Sequence, residues 1–375
     1  MQKVSITAIE SLSPLGNSQR EIWQSYLNDD HCLAFAEGDW WAPVSESSTR
    51  EIAQLTEAGS RLKNLDPTVL FAIAASRRAV MAAGWNTDFG INIGSSRGAT
   101  TLFEKHHAQF LQTGRAATLA SPVTTLGNIS SWVAQDLKAT GPEISHSITC
   151  STSLHALLNG IAWVNSGMAE RFLVGGSEAP LTPFTIAQMK ALKIYARTES
   201  DFPCRAMDFG KKTSAMVLGE GASVCTLQPG TDENSLAVIA GVGFATEATD
   251  HATAISAQAN CFQKSMAMAC GNSIPDLIVM HAPGTLAGDN AEHAAIQAVF
   301  GQNLPLLTTN KWKMGHTFGA SGMFSIEFAI LMMKHRYFIG IPYLDMPSRP
   351  AKIDSVLVNS VGFGGNAVSV LLERP

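Results

Sequence analysis

The 375-residue sequence has few charged side chains and no strong excess of either sign. Asp, Glu, Lys and Arg make up 15% of the residues, below the usual quarter. The formal net charge of −5 leaves no basic excess to neutralise phosphates, which argues against a general nucleic-acid binder. The low charge also suggests that another subunit covers part of the surface.

The six cysteines show no pairing pattern. They stand at positions 32, 150, 204, 225, 261 and 270, without a CxxC pair and without a Cys/His cluster of zinc spacing. Because so long a chain has no evident disulfide framework, a reducing compartment is favoured. We expect neither a metal nor a cofactor.

Long apolar runs are also missing. No run of about 18 apolar residues, the length that predicts a membrane span, occurs in the sequence. The N-terminal stretch MQKVSITAIESLSPLG is interrupted by Glu10, so we interpret it as a strand and turn rather than a signal peptide. These absences predict a cytoplasmic protein without a membrane span.

Strand-like and helical stretches alternate through both halves of the chain. The polar stretch 232–235 is the candidate boundary between a first half, 1–232, and a second half, 233–375. Asp66 and Pro67 are expected to open a helix through Ala83, residues 28–62 to form a loop-rich insertion, and 252–269 to form a long helix. The alternation predicts a layered α/β fold with helices covering sheets, and suggests that the halves are structural duplicates.

The stretch 144–167, ISHSITCSTSLHALLNGIAWVNSG, joins a β-branched apolar run to a helical pattern at Cys150. Ser151, Thr152 and Ser153 are good N-cap residues, and an apolar stripe follows at helical spacing. We predict a tight strand-to-helix turn with the sulfur near a helix N-terminus. That position can lower a cysteine pKa from about 8.5 toward neutrality. Taken alone, a buried structural cysteine is the alternative.

Two further stretches have a histidine where a strand runs into a glycine-rich loop. VMHAPGTLAGDNAEHA contains His281, and TTNKWKMGHTFGASGM contains Lys311 and His316. Functional residues of α/β folds gather at such positions. GSSRG at 94–98 is only faintly similar to a phosphate loop, because it lacks the Lys-Ser/Thr pair and the GxGxxG spacing.

Six motifs in chain order resemble those of the β-ketoacyl-acyl carrier protein synthases, in the thiolase-like condensing-enzyme superfamily. They are VSITAIESLSPLGN, SITCSTSLHAL, MVLGEGA, HAPGTLAGDNAE, NKWKMGHTFGASG and NSVGFGGNA. The likeness runs nearly end to end and is that of a divergent type II member. It implies a thiolase-like α-β-α-β-α fold built from two duplicated strand-helix halves.

The resemblance implies a role for each of the singled-out residues. Cys150 is the nucleophile, His281 and His316 are the catalytic histidines, and Lys311 holds the electrostatics around them. The backbone N–H groups of Cys150 and Phe363 form an oxyanion hole, and Phe363 is also a candidate gate. The supporting positions are Thr285, Glu292, Glu220 and Gly364. Either of these two glutamates is the expected partner of Lys311.

The implied reaction is a decarboxylative Claisen condensation in type II fatty-acid, polyketide or polyene-lipid biosynthesis. A Cys-bound acyl chain reacts with malonyl-acyl carrier protein and grows by two carbons. The implied partners are the acyl carrier protein and either a second copy or a chain-length-factor-like subunit. Two alternatives remain: a non-catalytic chain-length-factor-like subunit, and a Cys-His hydrolase that uses the same nucleophile.

Three departures from the family pattern leave the substrate open. Ala282-Pro283 stands where Gly-Thr usually follows the histidine, and Thr213-Ser214-Ala215 stands where Arg-Asp-Gly usually precedes the Val-Leu-Gly-Glu run. The last loop has Gly-Gly-Asn instead of Gly-Gly-Thr-Asn. We expect these changes to affect substrate identity more than reaction type.

Acyl length and carrier binding have only loose sequence candidates. The residues that could set pocket depth are Phe184, Met189 and the segment 124–128. The basic cluster consists of Lys190, Lys193, Arg197, Lys211 and Lys212. It is either a docking face for an acidic carrier protein or an ordinary solvated helix face.

Overall fold

The architecture comes from a computed structural model that describes residues 3–58, 61–126, 128–197, 200–249, 251, 255–346 and 352–375. The strands in these ranges are β1 (Val4–Leu12), β2 (Ala34–Ala36), β3 (Asp39–Ala42), β4 (Gly90–Gly94), β5 (Glu143–Ile144), β6 (Phe172–Glu178), β7 (Leu218–Gly219), β8 (Gly221–Pro229), β9 (Ala237–Thr246), β10 (Leu277–Val279), β11 (Leu306–Thr308), β12 (Ser355–Gly362) and β13 (Asn366–Glu373). The α-helices are α1 (Gln19–Leu27), α2 (Glu46–Ala58), α3 (Pro67–Ala82), α4 (Thr100–Thr113), α5 (Ala120–Thr124), α6 (Asn128–Leu137), α7 (Thr152–Asn165), α8 (Pro183–Ala191), α9 (Asn260–Cys270), α10 (Leu286–Phe300), α11 (Lys311–Met314) and α12 (Ser321–His335).

The main sheet has ten strands in the order β11-β10-β12-β13-β9-β1-β8-β6-β4-β5. In the first half, β5, β4 and β6 are parallel to one another, β8 is antiparallel to β6, and β1 is antiparallel to β8. In the second half, β11, β10 and β12 are parallel, and β13 and β9 continue antiparallel. The same order and directions therefore occur twice, which confirms the predicted duplication. The two sets meet where residues 4–6 of β1 pair with residues 237–239 of β9.

The helices form three layers around the two five-stranded sets. α3 and α6 cover the outer face of the first set, and α9 and α10 cover the outer face of the second. α7 and α12 pack between the sets, where Leu157 and Phe328 belong to one core with strand residues of both halves. Residues 321–333 of α12 are buried on every side, as expected for a helix inside the molecule. The α-β-α-β-α layering predicted from the resemblance is thus confirmed.

The predicted helix at Asp66 is confirmed in detail. The Asp66 side chain accepts a hydrogen bond from the Thr68 N–H at 2.9 Å, and Pro67 occupies the first helical position. Proline suits that position because its missing N–H would have no intrahelical partner there.

Two other expectations about elements were wrong. Residues 28–62 contain the hairpin β2–β3 and the helix α2 rather than a loop-rich insertion. The hairpin turns at Glu37 and Gly38, both with positive φ, the backbone that a two-residue turn between strands requires. The helix expected over 252–269 begins only at Asn260, and residues 252–254 lie outside the described ranges. None of the helices in the described part of the chain is both long and apolar enough to cross a membrane.

Candidate active site

Cys150 lies immediately before α7, at the end of an irregular segment that follows β5. The predicted strand before the cysteine was wrong, because β5 ends at Ile144. The tight turn is present: Thr149 has a φ of 46°, a left-handed conformation that β-branched residues rarely adopt. Ser151 is the N-cap residue of α7, but its hydroxyl donates to the Ile148 carbonyl at 3.0 Å instead of capping the helix.

The thiol of Cys150 is buried among apolar side chains that include Ile186, Met189 and Phe318. Burial and, to a smaller extent, the charge of the nearby Glu178 carboxylate raise the pKa of Cys150 to about 12, while the charge of Lys311 acts in the opposite direction. The expected lowering by the helix N-terminus was wrong, because loss of hydration outweighs the helix dipole at this site. Cys150 is therefore a neutral thiol in this structure.

His281 follows β10 and is held through its backbone by a buried carboxylate of α10. Glu292 accepts hydrogen bonds from the N–H groups of His281 and Ala282, each at 2.9 Å, and from the Asn359 amide at 3.1 Å. Burial raises the pKa of Glu292 to about 7. Its structural task is thus to fix the loop that carries the imidazole.

His316 lies between α11 and a short 3₁₀ turn, Phe318–Ala320. Its N–H donates to the Val217 carbonyl at 2.7 Å, and its own carbonyl accepts from the Gly219 N–H at 3.1 Å. The segment 217–219 at β7 therefore hydrogen-bonds to both the N–H and the carbonyl of His316.

The two imidazoles meet edge to face with their ring centroids 5.2 Å apart. Burial lowers the pKa of His316 to about 3 and that of His281 well below its ordinary value. The Nδ1 atom of each ring is buried without a hydrogen-bond partner among the described residues. Both rings are therefore neutral, and each one has only its other nitrogen available to a ligand.

Lys311 is fully buried and donates hydrogen bonds from Nζ to Asn310 Oδ1 and Ser325 Oγ, each at 3.0 Å. Burial lowers the pKa of Lys311 to about 8, while the charge of Glu292 acts in the opposite direction. No ion pair links Lys311 to a carboxylate within the described ranges. Of the two expected partners, Glu292 acts on Lys311 through its charge without a direct ion pair, whereas Glu220 accepts a hydrogen bond from the Val44 N–H at 3.2 Å.

Cys150, His281 and His316 line one cavity of about 420 Å³. Thr285 and Phe363 line the same cavity, and Phe363 is 41% exposed. Gly364 follows Phe363 in the β12–β13 turn with a φ of 83°, which a glycine adopts without strain. The described residues thus bring Cys150, His281, His316 and the Phe363 loop, all candidate site residues of the sequence, together at one cavity.

Residues of the divergent segments also line this cavity. Pro283 and Ser214 face it, and the Ser214 hydroxyl accepts a hydrogen bond from the Leu286 N–H at 3.0 Å. Met189 contributes to the wall as predicted, whereas Phe184 is 58% exposed and lies away from it. Of the segment 124–128, residue 127 lies outside the described ranges, and the others do not line the cavity.

Part of the predicted basic cluster is structural. Lys211 is buried against Asp289, with Nζ 2.7 Å from Oδ2, and is therefore not a docking residue. Asp289 also accepts hydrogen bonds from the backbone N–H groups of Met207 and Gly284. Lys190 pairs with Asp39 at 2.5 Å.

One buried residue beside the cavity was missed in the sequence. Glu178 ends β6, and its Oε1 accepts hydrogen bonds from the Ser96 N–H and, at 3.1 Å, from the Gly319 N–H. The GSSRG loop that faintly resembles a phosphate site therefore binds a carboxylate of the same chain. The sequence feature that could have identified Glu178 is a glutamate at the end of an otherwise apolar strand.

The sequence comparisons identify the family of the chain. Residues 1–233 match the family described as "Beta-ketoacyl synthase, N-terminal domain", and residues 236–342 match "Beta-ketoacyl synthase, C-terminal domain". The 3-oxoacyl-[acyl-carrier-protein] synthase 2 of Rhizobium meliloti (strain 1021) is 25% identical over 100% of this chain and 99% of its own length. The Staphylococcus aureus (strain COL) protein of the same name is 26% identical over 98% of both chains.

Solved structures share the fold at lower identity. A type II PKS acyl-carrier protein in complex with its ketosynthase bound to the hexaketide gives a TM-score of 0.86, with 19% identity over 100% of both chains. A ketosynthase in complex with its chain length factor from Xenorhabdus doucetiae gives a TM-score of 0.81, with 20% identity over 100% of this chain and 98% of that one.

The duplicated fold and the cavity with one cysteine and two histidines define a thiolase-like condensing enzyme. More narrowly, the chain belongs to the β-ketoacyl synthase family and is an enzyme of the acyltransferase class.

Proposed function

We propose that the protein catalyses a decarboxylative Claisen condensation that extends a Cys150-bound acyl chain by two carbons from malonyl-acyl carrier protein. The observation that carries this proposal is that Cys150, His281 and His316 open into one cavity with both imidazoles uncharged. A neutral imidazole N–H can stabilise a forming oxyanion, and one such donor contributes about 3–4 kcal/mol in well-studied sites.

The first step is acyl transfer to Cys150. Its sulfur attacks the carrier thioester, an S–C bond forms, and the bond to the phosphopantetheine sulfur breaks. Because burial keeps the Cys150 thiol protonated, its proton leaves with the departing thiol. The N–H groups of Cys150 and Phe363 are the proposed donors to the tetrahedral oxyanion, and the Phe363 side chain is the proposed gate.

The second step is decarboxylation of the malonyl thioester. The carboxylate C–C bond breaks, carbon dioxide leaves, and the electron pair forms an enolate on the thioester oxygen. We assign the imidazole protons to Nε2 of His281 and His316, because a buried Nδ1–H without a partner costs more than a buried lone pair. Lys311 supplies a nearby positive charge, and Glu292 fixes the His281 loop.

The third step joins the two carbons. The enolate carbon attacks the Cys150 thioester, a C–C bond forms, and the sulfur is released and takes up a proton. The product remains on the carrier and is two carbons longer. Thr285 and Gly364 have supporting positions beside the reacting groups.

The proposed partners are an acyl carrier protein and a second subunit. The curated relatives carry the carrier protein in their names, and solved neighbours contain a carrier protein or a chain length factor. The second subunit is either another copy of this chain or a chain-length-factor-like protein. Type II fatty-acid, polyketide or polyene-lipid synthesis is the proposed setting.

The proposal is tested by covalent loading. The full chain is incubated with carrier proteins that bear acyl groups of different length, and the intact mass is measured. We expect an acyl adduct that disappears in Cys150→Ala and persists in the control Cys270→Ala, whose buried thiol lies on α9. Addition of malonyl-carrier protein should then release carbon dioxide and a longer chain. In His281→Ala or His316→Ala, loading should persist while condensation slows by about 10²–10³.

Two outcomes contradict the proposal. A folded protein that acquires no adduct with any chain length acts as a non-catalytic chain-length-factor-like subunit. Release of free acid without carbon dioxide indicates a Cys-His hydrolase.

A further inference from the structure

Glu178 is a buried carboxyl group that the proposed reaction leaves unused. Its Oε1 accepts the hydrogen bonds of Ser96 and Gly319, and the Ser95 hydroxyl also lowers the pKa of the carboxyl group, but no described residue makes a hydrogen bond to the buried Oε2. A carboxylate with an unsatisfied oxygen inside a protein costs free energy, so its presence at this place requires a reason.

The carboxylate connects three separate parts of the chain. It projects from the end of β6, binds the 94–98 loop through Ser96, and binds the Phe318–Ala320 turn through Gly319. Gly319 is packed so closely that an added Cβ would lie 2.7 Å from Glu178 Oε1 and 2.8 Å from the Ser96 nitrogen. The turn therefore has no freedom to shift while the carboxylate holds it.

The turn that Glu178 holds carries a strained residue of the cavity wall. Phe318 has a φ of 42°, packs in the same apolar cluster as Cys150, and lines the cavity. Its ring also meets the His316 imidazole edge to face, with centroids 5.6 Å apart. A residue in this left-handed conformation needs surrounding contacts to stay there, since the conformation costs about 1–3 kcal/mol.

We infer that Glu178 is a positioning residue that locks the Phe318–Ala320 turn, and thereby His316 and Phe318, against the nucleophile. The inference goes beyond the proposed condensation but rests on Cys150 as its nucleophile. Glu178 touches no substrate, and it acts through the two backbone N–H groups that it binds.

The same carboxylate influences the nucleophile electrostatically. Burial raises the pKa of Glu178 to about 7, and its negative charge raises the pKa of Cys150. The other charged or titratable groups around this pair are Arg97 on the 94–98 loop, Lys311 on α11, and His281 and His316, which line the cavity with Cys150. Protonation of Glu178 below neutral pH removes the negative charge, whereas ionisation above neutral pH makes thiolate formation harder.

Two substitutions separate the hydrogen bonds from the charge. Glu178→Gln retains an acceptor for both N–H groups and removes the charge, whereas Glu178→Ala removes both. Glu327→Gln is the matched control, because Glu327 is equally buried, has a pKa raised to about 7, and contacts Ser11 instead of the site.

The first readout is the rate at which iodoacetamide alkylates Cys150 in the full chain. Relative to the unsubstituted protein, Glu178→Gln should react at an equal rate near pH 6 and about three- to tenfold faster near pH 8.5, since one pH unit in thiol pKa is a factor of about ten in thiolate. Glu327→Gln should give a ratio near one at both pH values. A ratio for Glu178→Gln that does not change with pH would refute the electrostatic influence of Glu178 on Cys150.

The second readout is acyl transfer to Cys150. Glu178→Ala should lower kcat by about 10- to 100-fold with little change in KM, because misplacing a reacting group by about 1 Å costs about 10²-fold. Glu178→Gln should retain kcat within about threefold because it keeps both hydrogen bonds. If Glu178→Ala transfers acyl groups at the unsubstituted rate, Glu178 has no positioning role.

The tests also separate this inference from the proposed function. Acyl transfer by Glu178→Ala at the unsubstituted rate defeats the inference even when condensation is observed, because the unsubstituted protein alone tests the proposed function. Failure of every acyl carrier to load Cys150 defeats the proposed function and leaves the alkylation result valid. If Glu178→Ala does not fold, Glu178→Asp replaces it: its shorter side chain keeps the charge but cannot reach both N–H groups, so it should lower kcat in the same way, and an unchanged kcat overturns the inference.

Discussion

Replacing Lys311 by methionine should stabilise the protein at neutral pH although it removes a residue of the proposed site. The amine is buried, has no carboxylate partner in the described ranges, and hydrogen-bonds only to Asn310 and Ser325. Burial lowers its pKa from 10.5 to about 8. At about 1.4 kcal/mol per pH unit, the buried ammonium costs about 3 kcal/mol of folding free energy at pH 7.

The substitution also removes two hydrogen bonds. Asn310 Oδ1 and Ser325 Oγ lose their donor, at about 1 kcal/mol each. Ser325 still donates to the Ser321 carbonyl at 3.1 Å, so its hydroxyl retains one partner. The net expectation is that Lys311→Met increases the free energy of unfolding by about 1 kcal/mol at pH 7.

The difference in the free energy of unfolding between Lys311→Met and the unsubstituted protein should change sign with pH. Between about pH 8 and 10.5 the folded protein has lost the Lys311 proton while the unfolded chain retains it, so the stability of the unsubstituted protein rises with pH. Near pH 10 most of the burial cost has disappeared, and only the lost hydrogen bonds remain. Lys311→Met should then be less stable than the unsubstituted protein by about 1–2 kcal/mol.

Urea unfolding at equal protein concentration, followed by tryptophan fluorescence, measures this crossover. The control is Lys193→Met, an exposed lysine whose replacement should change stability by less than about 0.5 kcal/mol at both pH values. The reasoning is refuted if Lys311→Met is destabilised at pH 7, or if the difference from the unsubstituted protein is the same at pH 7 and pH 10.

Two further substitutions test the buried carboxylates on either side of the site. Glu292→Gln should lower the free energy of unfolding by about 2–3 kcal/mol, because the amide nitrogen would face a backbone N–H of the His281 loop. Urea unfolding measures this loss, with the exposed Glu233→Gln as the control. Equal stability of the two variants would contradict the expectation. Lys211→Met should cost about 3–5 kcal/mol because it leaves the Asp289 charge buried and unpaired. Urea unfolding of Lys211→Met and of the control Lys193→Met measures this loss of stability. If Lys211→Met loses no more stability than the control, the ion pair with Asp289 is not structural and Lys211 is again a candidate docking residue.

The cavity residues could be predicted because each belongs to a short local pattern. Cys150 precedes a helix with an apolar stripe, and His281 and His316 follow strand-like runs in glycine-rich segments. Such patterns can be recognised in the sequence because neighbouring residues determine where strands end and helices begin. Their assembly into one cavity follows from the duplicated sheet, which the resemblance implied and the strand order confirms.

The electrostatic state of the site could not be predicted in the same way. The helix N-terminus at Cys150 is visible in the sequence, but the apolar shell around the sulfur comes from distant segments such as α8 and the Phe318–Ala320 turn. Glu178 reaches Gly319 across 141 positions of sequence, and no local pattern encodes that contact. The Lys311 partners were also missed, since a lysine in a polar stretch gives no sign of burial.

Together, the pKa shifts indicate that Cys150 is a neutral thiol in the resting protein. With a pKa of about 12 for Cys150, only about one molecule in 10⁵ carries the thiolate at pH 7. Both histidines are neutral, so neither imidazole forms a stable ion pair with the sulfur. In the proposed reaction, proton loss from Cys150 therefore accompanies bond formation to the acyl group, and the departing phosphopantetheine sulfur accepts the proton. The uncharged imidazoles then remain free to donate to the enolate, the one step of the proposed reaction in which negative charge develops next to them.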